Sequence, residues 1–233
     1  MDHRSNVERV RGSLTWIVIV LWLLGFGGGY AIGKNILITW PIAAVSFIAV
    51  LVLIKHLKRV AFGIKGLTGE YKVSVILDNM WYDDVRSLNN VVLKQGKGDV
   101  DHIVVAKTGI WTVETKHSNG EITFVDGQLL RNGKTLPEKY LKQPYAEMEA
   151  LEGIVSRLNL PKKVSVRPIL IFSGKYAKVQ CGYEPVQGVI VIGSLGLRKV
   201  ITDIERYGEL LSAEQVEKTY GVISDYFAAR DSR

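Results

Sequence analysis

Cysteine is nearly missing from this sequence, since Cys181 is the one cysteine among 233 residues. A single cysteine excludes an intramolecular disulfide framework and suits a reducing compartment. No partner motif accompanies it, so we expect a small, buried, apolar side chain at this position rather than a reactive thiol.

A complete nucleotide-binding loop is also missing. Gly193–Gly196 follows an apolar segment and superficially suggests such a loop. It has neither the lysine nor the full glycine spacing of the phosphate-binding motifs. We therefore do not interpret this segment as a nucleotide site.

A strong excess of positive charge is missing from the larger part of the chain. The formal net charge is +7, with 30 basic and 23 acidic residues. Residues 1–59 hold seven of the basic and two of the acidic residues, which leaves 23 basic and 21 acidic residues in 60–233. This near balance gives little support for strong non-specific binding to nucleic acid.

Two long stretches contain no charge at all. Leu14–Ile32 and Ile36–Ile54 are apolar, and each has the ~20 residues that a helix needs to cross a bilayer. Basic residues lie before the first stretch and after the second, so the positive-inside rule places both chain termini in the cytoplasm. The sequence thus predicts a multi-pass cell-membrane protein with an anchor at residues 1–59 that contacts the lipid bilayer.

Three other interpretations of these stretches are open. Leu14–Leu24 has the length of a signal-peptide core, although no small-x-small cleavage site follows it. A buried helical hairpin in a soluble protein is another, although such long uncharged runs are unusual there. In the third, the glycines of the first stretch allow close helix packing, and the anchor mediates oligomerisation.

Residues 60–233 carry the pattern of an α/β domain. A helix is expected from about Thr68, and a later amphipathic helix is expected over Pro144–Leu158, with Pro144 in its first turn. A capping box at Ser212 predicts the start of the last helix. Predicted strands are Asn90–Lys94, Ile103–Val105, Ile110–Val113, Glu121–Val125, Val164–Phe172 and Val186–Ile192. The order predicts one mixed sheet with helices on its faces.

The predicted hairpin after the Gly96–Gly98 turn, formed by Ile103–Val105 and Ile110–Val113, contains the candidate catalytic residues. Asp101 opens its first strand, and Glu114 and Lys116 close its second. A two-residue loop at Thr108-Gly109 places Asp101 opposite Lys116, whereas a loop at Lys107-Thr108 or a four-residue loop places it opposite Glu114. Each of these registers puts all three side chains on one face, whereas a three-residue loop without a bulge turns Asp101 away.

Two carboxylates beside an ammonium group suit a hard divalent cation, because Mg²⁺ prefers oxygen ligands. Such a cation polarises a phosphate and lowers the pKa of a bound water, while Lys116 steadies developing charge or the attacking water. Glu70, in the first turn of the helix expected from Thr68, would by itself be only a favourable partner of the helix dipole.

Together, Gly69-Glu70, Asp101-His102, Gly109-Ile110 and Glu114-Thr115-Lys116 resemble the NERD domain, a nuclease-related domain. The resemblance extends from about Gly66 to Phe172. This family is similar to the PD-(D/E)xK nucleases, which implies a restriction-endonuclease-like fold with a mixed central sheet flanked by helices. It also implies Mg²⁺ or Mn²⁺ as the cofactor and a nucleic acid, expected to be DNA, as the substrate.

The resemblance also implies roles for individual residues. Asp101, Glu114 and Glu70 would bind the metal, Lys116 would complete the Glu-x-Lys pair, and a glutamine would assist. That glutamine is Gln143 if the sequences are aligned on the glutamine, whereas alignment on the neighbouring proline places Glu147 there. His102 alternates away from Asp101 along its strand, so we expect a packed histidine.

The sequence therefore predicts a membrane-anchored, metal-dependent nuclease with its domain at residues 60–233. The alternative is a catalytically inactive nuclease-fold module that binds nucleic acid or a protein partner at the membrane.

Overall fold

The computed structural model describes residues 36–93 and 99–231. Contacts divide the chain into two compact units, residues 1–64 and residues 65–233. The first predicted membrane stretch, Leu14–Ile32, and the predicted turn at Gly96–Gly98 lie outside the described residues.

The first described element is the helix α1 (Ile36–Asp78), 43 residues long. It contains the second predicted membrane stretch, Ile36–Ile54, and exposes several aliphatic side chains there, with Val52 62% exposed. Across the described residues, no helix combines enough length with enough apolar character to cross a membrane. The membrane anchor thus stays a prediction.

The expected helix start near Thr68 is wrong, because α1 has begun far upstream. Residues 60–65 contain no proline and are helical, so nothing in this segment stops the helix. Glu70 consequently lies in the helix interior, and its interpretation as a partner of an N-terminal dipole does not hold.

The expected mixed sheet flanked by helices is confirmed, but the strands form two such sheets rather than one. In the first sheet the order is β1-β2-β3-β7-β9, with antiparallel pairing up to β3 and parallel pairing beyond it. The second sheet has the order β6-β5-β4-β8. The strands are β1 (Arg86–Val92), β2 (Asp99–Ala106), β3 (Gly109–Lys116), β4 (Gly120–Val125), β5 (Gln128–Arg131), β6 (Lys134–Thr135), β7 (Val166–Phe172), β8 (Ala177–Val179) and β9 (Ile190–Gly193).

The hairpin β2–β3 adopts one of the registers predicted from the sequence. Ala106 pairs with Gly109, so Lys107-Thr108 is the loop, and Gly109 has the positive φ of 125° that favours glycine. His102 pairs with Val113, and the next position in the same register sets Asp101 against Glu114. The two carboxylates therefore share one face of the sheet.

The second predicted helix begins earlier than expected. The helix α2 spans Lys139–Val155 and contains Pro144 in its interior, so Gln143 is not a cap residue. Pro137-Glu138 provides the real start, since the N–H of Tyr140 donates to the carbonyl of Pro137. The other α-helices among the described residues are α3 (Leu197–Ile201), α4 (Ile204–Tyr207) and α5 (Ala213–Asp231), and Trp81–Asp83 and Ser194–Gly196 form short 3-10 helices.

The predicted capping box at the start of α5 is confirmed. The N–H of Ser212 donates to Oε1 of Gln215 at 3.0 Å, and the N–H of Gln215 donates to Oγ of Ser212 at 3.3 Å.

Both faces of the first sheet are buried. On one face, Val104 and Trp111 pack with Val73 of α1. On the other, Ile103 and Ile110 pack with helices α2 and α5. The predicted burial of the strand around Val164–Phe172 on both faces is confirmed for β7. Cys181 is half-buried rather than buried, and burial raises the pKa of its thiol to about 11.

Candidate metal and phosphodiester site

The paired strands β2 and β3 bring Asp101, Glu114 and Lys116 together. Oδ2 of Asp101 accepts a hydrogen bond of 2.6 Å from the backbone N–H of Thr115, next to Glu114 on the partner strand. Nζ of Lys116 donates to Oε1 of Glu114, a side chain only 3% exposed. This ion pair is thus largely withdrawn from water, where charge interactions are stronger.

The helix α2 adds an amide and a further carboxyl group. Nζ of Lys116 donates to Oε1 of Gln143 at 3.1 Å, and Nε2 of Gln143 donates to Oε1 of Glu147 at 2.9 Å. Gln143 and Glu147 are four residues apart, so they lie on the same side of the helix. The two residues that the sequence left as alternatives are therefore both part of the site.

The helix α1 places Glu70 near the same cluster, because Gly69 allows a close approach to the strand ends. A β-carbon on Gly69 would lie 2.6 Å from Oγ of Ser173 and 2.8 Å from Cβ of His117. The charge of Glu70 raises the pKa of both Asp101 and Glu114. The structure thus brings Glu70 within electrostatic range of the two strand carboxylates.

Gly69→Ala is expected to lower the free energy of unfolding by about 1–3 kcal/mol, because the new methyl group overlaps Ser173 and His117. Gly66→Ala is the matched control on the same helix. Its β-carbon would meet only Oε1 of Glu70, at 3.8 Å, so the better helix propensity of alanine should add up to about 1 kcal/mol. Urea unfolding of both variants measures these free energies. Equal changes in the two variants would show that the absence of a side chain at Gly69 is not needed for the contact of α1 with Ser173 and His117.

Burial and mutual repulsion raise the pKa values of the carboxyl groups in the site. Burial, followed by the charge of Glu114, raises the pKa of Asp101 to about 7. Burial and then Glu114 likewise raise the pKa of Glu147 to about 8. The pKa of Glu114 is raised by burial too, although Lys116 opposes that effect. Without a further positive charge, the site thus tends to retain protons near neutral pH.

The donor chemistry fits a hard divalent cation. Oε2 of Glu114 and Oε2 of Glu147 are buried and have no hydrogen-bond partner among the described residues, and the other possible metal ligands here are carboxylate and amide oxygens. A cation would offset the repulsion that raises the pKa values. Within residues 36–93 and 99–231, however, no group of three or more His, Cys, Asp or Glu side chains lies close enough to hold a metal ion.

His102 does not join the cluster. Its ring is buried, its Nδ1 lies 2.8 Å from Oδ1 of Asn89, and burial lowers its pKa to about 4. Adjacent residues of a strand face opposite ways, so His102 is turned from Asp101. This placement agrees with the expected packed histidine.

One neighbour of the site was missed by the sequence interpretation. The ring of Tyr140 lies 5.8 Å from Nζ of Lys116 and stacks on Phe172 with a centroid separation of 6.2 Å. The early start of α2 brings Tyr140 here, so recognising Pro137-Glu138 as a helix start would have pointed to it.

Fold and site define a mixed α/β domain in which strand ends and two helices gather acidic side chains around one lysine. Residues 65–173 match the model of the NERD family, the nuclease-related domain. This part of the chain is therefore a nuclease-related domain, and it includes every residue of the cluster. No curated protein and no solved structure matches the chain.

Proposed function

We propose that this chain is a divalent-metal-dependent nuclease that hydrolyses phosphodiester bonds in nucleic acid, with DNA as the expected substrate. The observation that carries the proposal is the contact of Lys116 with both Glu114 and Gln143, beside Asp101, within a nuclease-related domain.

Asp101 and Glu114 would hold Mg²⁺ or Mn²⁺, with Glu70 assisting directly or through a water molecule. When bound, the cation would polarise the phosphate and lower the pKa of a water molecule. Gln143 accepts a hydrogen bond from Lys116 and so holds the ammonium group beside the carboxylates. Lys116 is thereby positioned to orient the attacking water or to stabilise negative charge that develops on the phosphate.

The test incubates the purified full-length chain with DNA and with RNA, in Mg²⁺, in Mn²⁺ and in a chelator. We expect cleavage only with metal present, and loss of cleavage in Asp101→Ala and in Lys116→Ala. Lys162→Ala, a change to an exposed lysine outside the cluster, is the control and should cleave normally. Cleavage that survives both site variants would assign the activity to another site or to a contaminant.

We also propose that residues 1–59 anchor the domain to the cell membrane, with the domain on the cytoplasmic side. The support is the two uncharged stretches, 14–32 and 36–54, with basic residues at both ends. The full chain should remain in the membrane fraction after washing with high salt or alkali. A chain that these washes release would contradict the anchor and leave the nuclease proposal unaffected.

A second candidate is a module of the same fold that binds without cutting. The observation in its favour is the near balance of charge in residues 60–233, which weakens attraction to a polyanion. Titration with Mg²⁺ separates the two, because the nuclease requires a metal affinity that falls when Asp101 or Glu114 is changed. A binding module needs no metal affinity at all.

A further inference from the structure

A separate cavity lies at the carboxyl ends of strands β7 and β9. Its volume is about 460 Å³, which is within the range of pockets that hold small ligands. Phe172 and Gly193 line it at the two strand ends, and Lys72 of α1 and Lys175 contribute side chains. Ligands of α/β proteins commonly bind at the carboxyl ends of parallel strands.

The walls of the cavity suit an anion. Lys72 and Lys175 both line it, and the described residues around it include no aspartate or glutamate. Nζ of Lys72 donates to the carbonyl of Ser173 at 3.1 Å, which fixes the position of the ammonium group. An ammonium group has three donors, so this bond leaves others for a ligand. Ser194 also lines the cavity.

The cavity adjoins the carboxylate cluster through the sheet. Lys116 pairs with Phe172, and Phe172 pairs with Gly193, so the three residues form one row across β3, β7 and β9. Neighbouring strands are ~4.8 Å apart, so the row spans about 10 Å. Ser173 links the two regions, because its N–H donates to the carbonyl of Lys116 and its carbonyl accepts from Lys72.

We propose that this cavity binds a phosphate group of a nucleic-acid strand whose neighbouring phosphodiester lies at the carboxylate cluster. The inference rests on the proposed nuclease function and names where its substrate is held. The cluster contains four carboxyl groups, and its one ammonium group, on Lys116, is already paired with Glu114, so by itself it offers little positive charge to a polyanion. Lys72 and Lys175, at the ends of the neighbouring strands of the sheet, supply the positive charge that holds the nucleic acid in place.

The test measures the affinity of the full-length chain for a short fluorescent single-stranded DNA over a range of salt concentrations, in a chelator so that no cleavage occurs. Lys72→Gln and Lys175→Gln are compared with Lys162→Gln, an exposed lysine outside the cavity. For each cavity lysine removed, the slope of log affinity against log salt should flatten by about 0.7. The control should keep the slope of the unchanged chain.

Lys72→Gln also removes the hydrogen bond to Ser173, so Lys175→Gln, which leaves that bond intact, is the decisive variant. An unchanged slope in Lys175→Gln would overturn the cavity proposal even if the chain cuts DNA with metal. A flattened slope in a chain that never cuts would support the cavity and refute the nuclease. A chain that neither binds nor cuts DNA or RNA would overturn both.

Discussion

Asp101→Asn is expected to lower the rate of metal-dependent cleavage by about a thousandfold, since the variant loses a proposed metal ligand worth several kcal/mol in the transition state. The same change should raise the free energy of unfolding of the metal-free protein at pH 8. The amide keeps an oxygen that can accept from the N–H of Thr115, and the change removes a charge that Glu114 and Glu70 repel. Cleavage rates and urea unfolding in a chelator measure the two effects.

Opposite signs for activity and stability distinguish a functional carboxylate from a structural one. Asp126→Asn is the matched control, because Asp126 lies in the exposed β4–β5 turn with a φ of 50°, a conformation that asparagine also adopts. It should leave both quantities unchanged. If Asp101→Asn lost stability as well as activity, the role of Asp101 would be to stabilise the hairpin rather than to bind a cation.

A second large effect is expected from pH. In the metal-free protein, Glu147 has a pKa raised to about 8 from an ordinary 4.5, and Asp101 one raised to about 7 from 3.8. Between the ordinary and the raised values, the folded protein holds protons that the unfolded chain has released. The free energy of unfolding should therefore fall by several kcal/mol as pH rises from about 5 to 9.

Glu147→Gln tests the origin of this pH dependence. An amide does not titrate and can still bond to Gln143, so the variant should lose much of the slope and be more stable than the unchanged chain at pH 9. Glu149→Gln, on the exposed side of the same helix, should keep the slope. Saturating Mg²⁺ should also flatten the slope of the unchanged chain, because a cation favours the ionised carboxylates. A slope that Glu147→Gln leaves intact would place its source elsewhere.

The β2–β3 hairpin could be predicted from the sequence because its structure depends on residues that are close together in the chain. Alternation along β2 and β3 fixes which side chains share a face, and a short list of loop lengths leaves few registers. All the loop lengths considered except a three-residue loop without a bulge place Asp101 and Glu114 on one face. Among the possible loops, the structure has the two-residue loop at Lys107-Thr108.

Elements whose position depends on distant contacts were predicted less well. The sequence predicts helices at Ile36–Ile54 and from about Thr68, but not that the residues between them join the two into the single helix α1. The predicted start of α2 lies at Pro144, although Pro137 is the better start signal. Alternation within Glu121–Val125 predicted a strand but not which sheet it joins. Pairing partners far along the chain are set by tertiary packing, which single-sequence patterns do not record.

The two-residue loop of the β2–β3 hairpin also limits how this protein can evolve. Surface loops usually accept insertions and deletions, but one residue added or lost at Lys107-Thr108 without a compensating bulge would move β3 by one position against β2. Glu114 would then leave the face of Asp101, and Trp111 would leave the face on which it packs with α1. Lineages that keep the chemistry should therefore vary the residues in this turn while keeping its length constant.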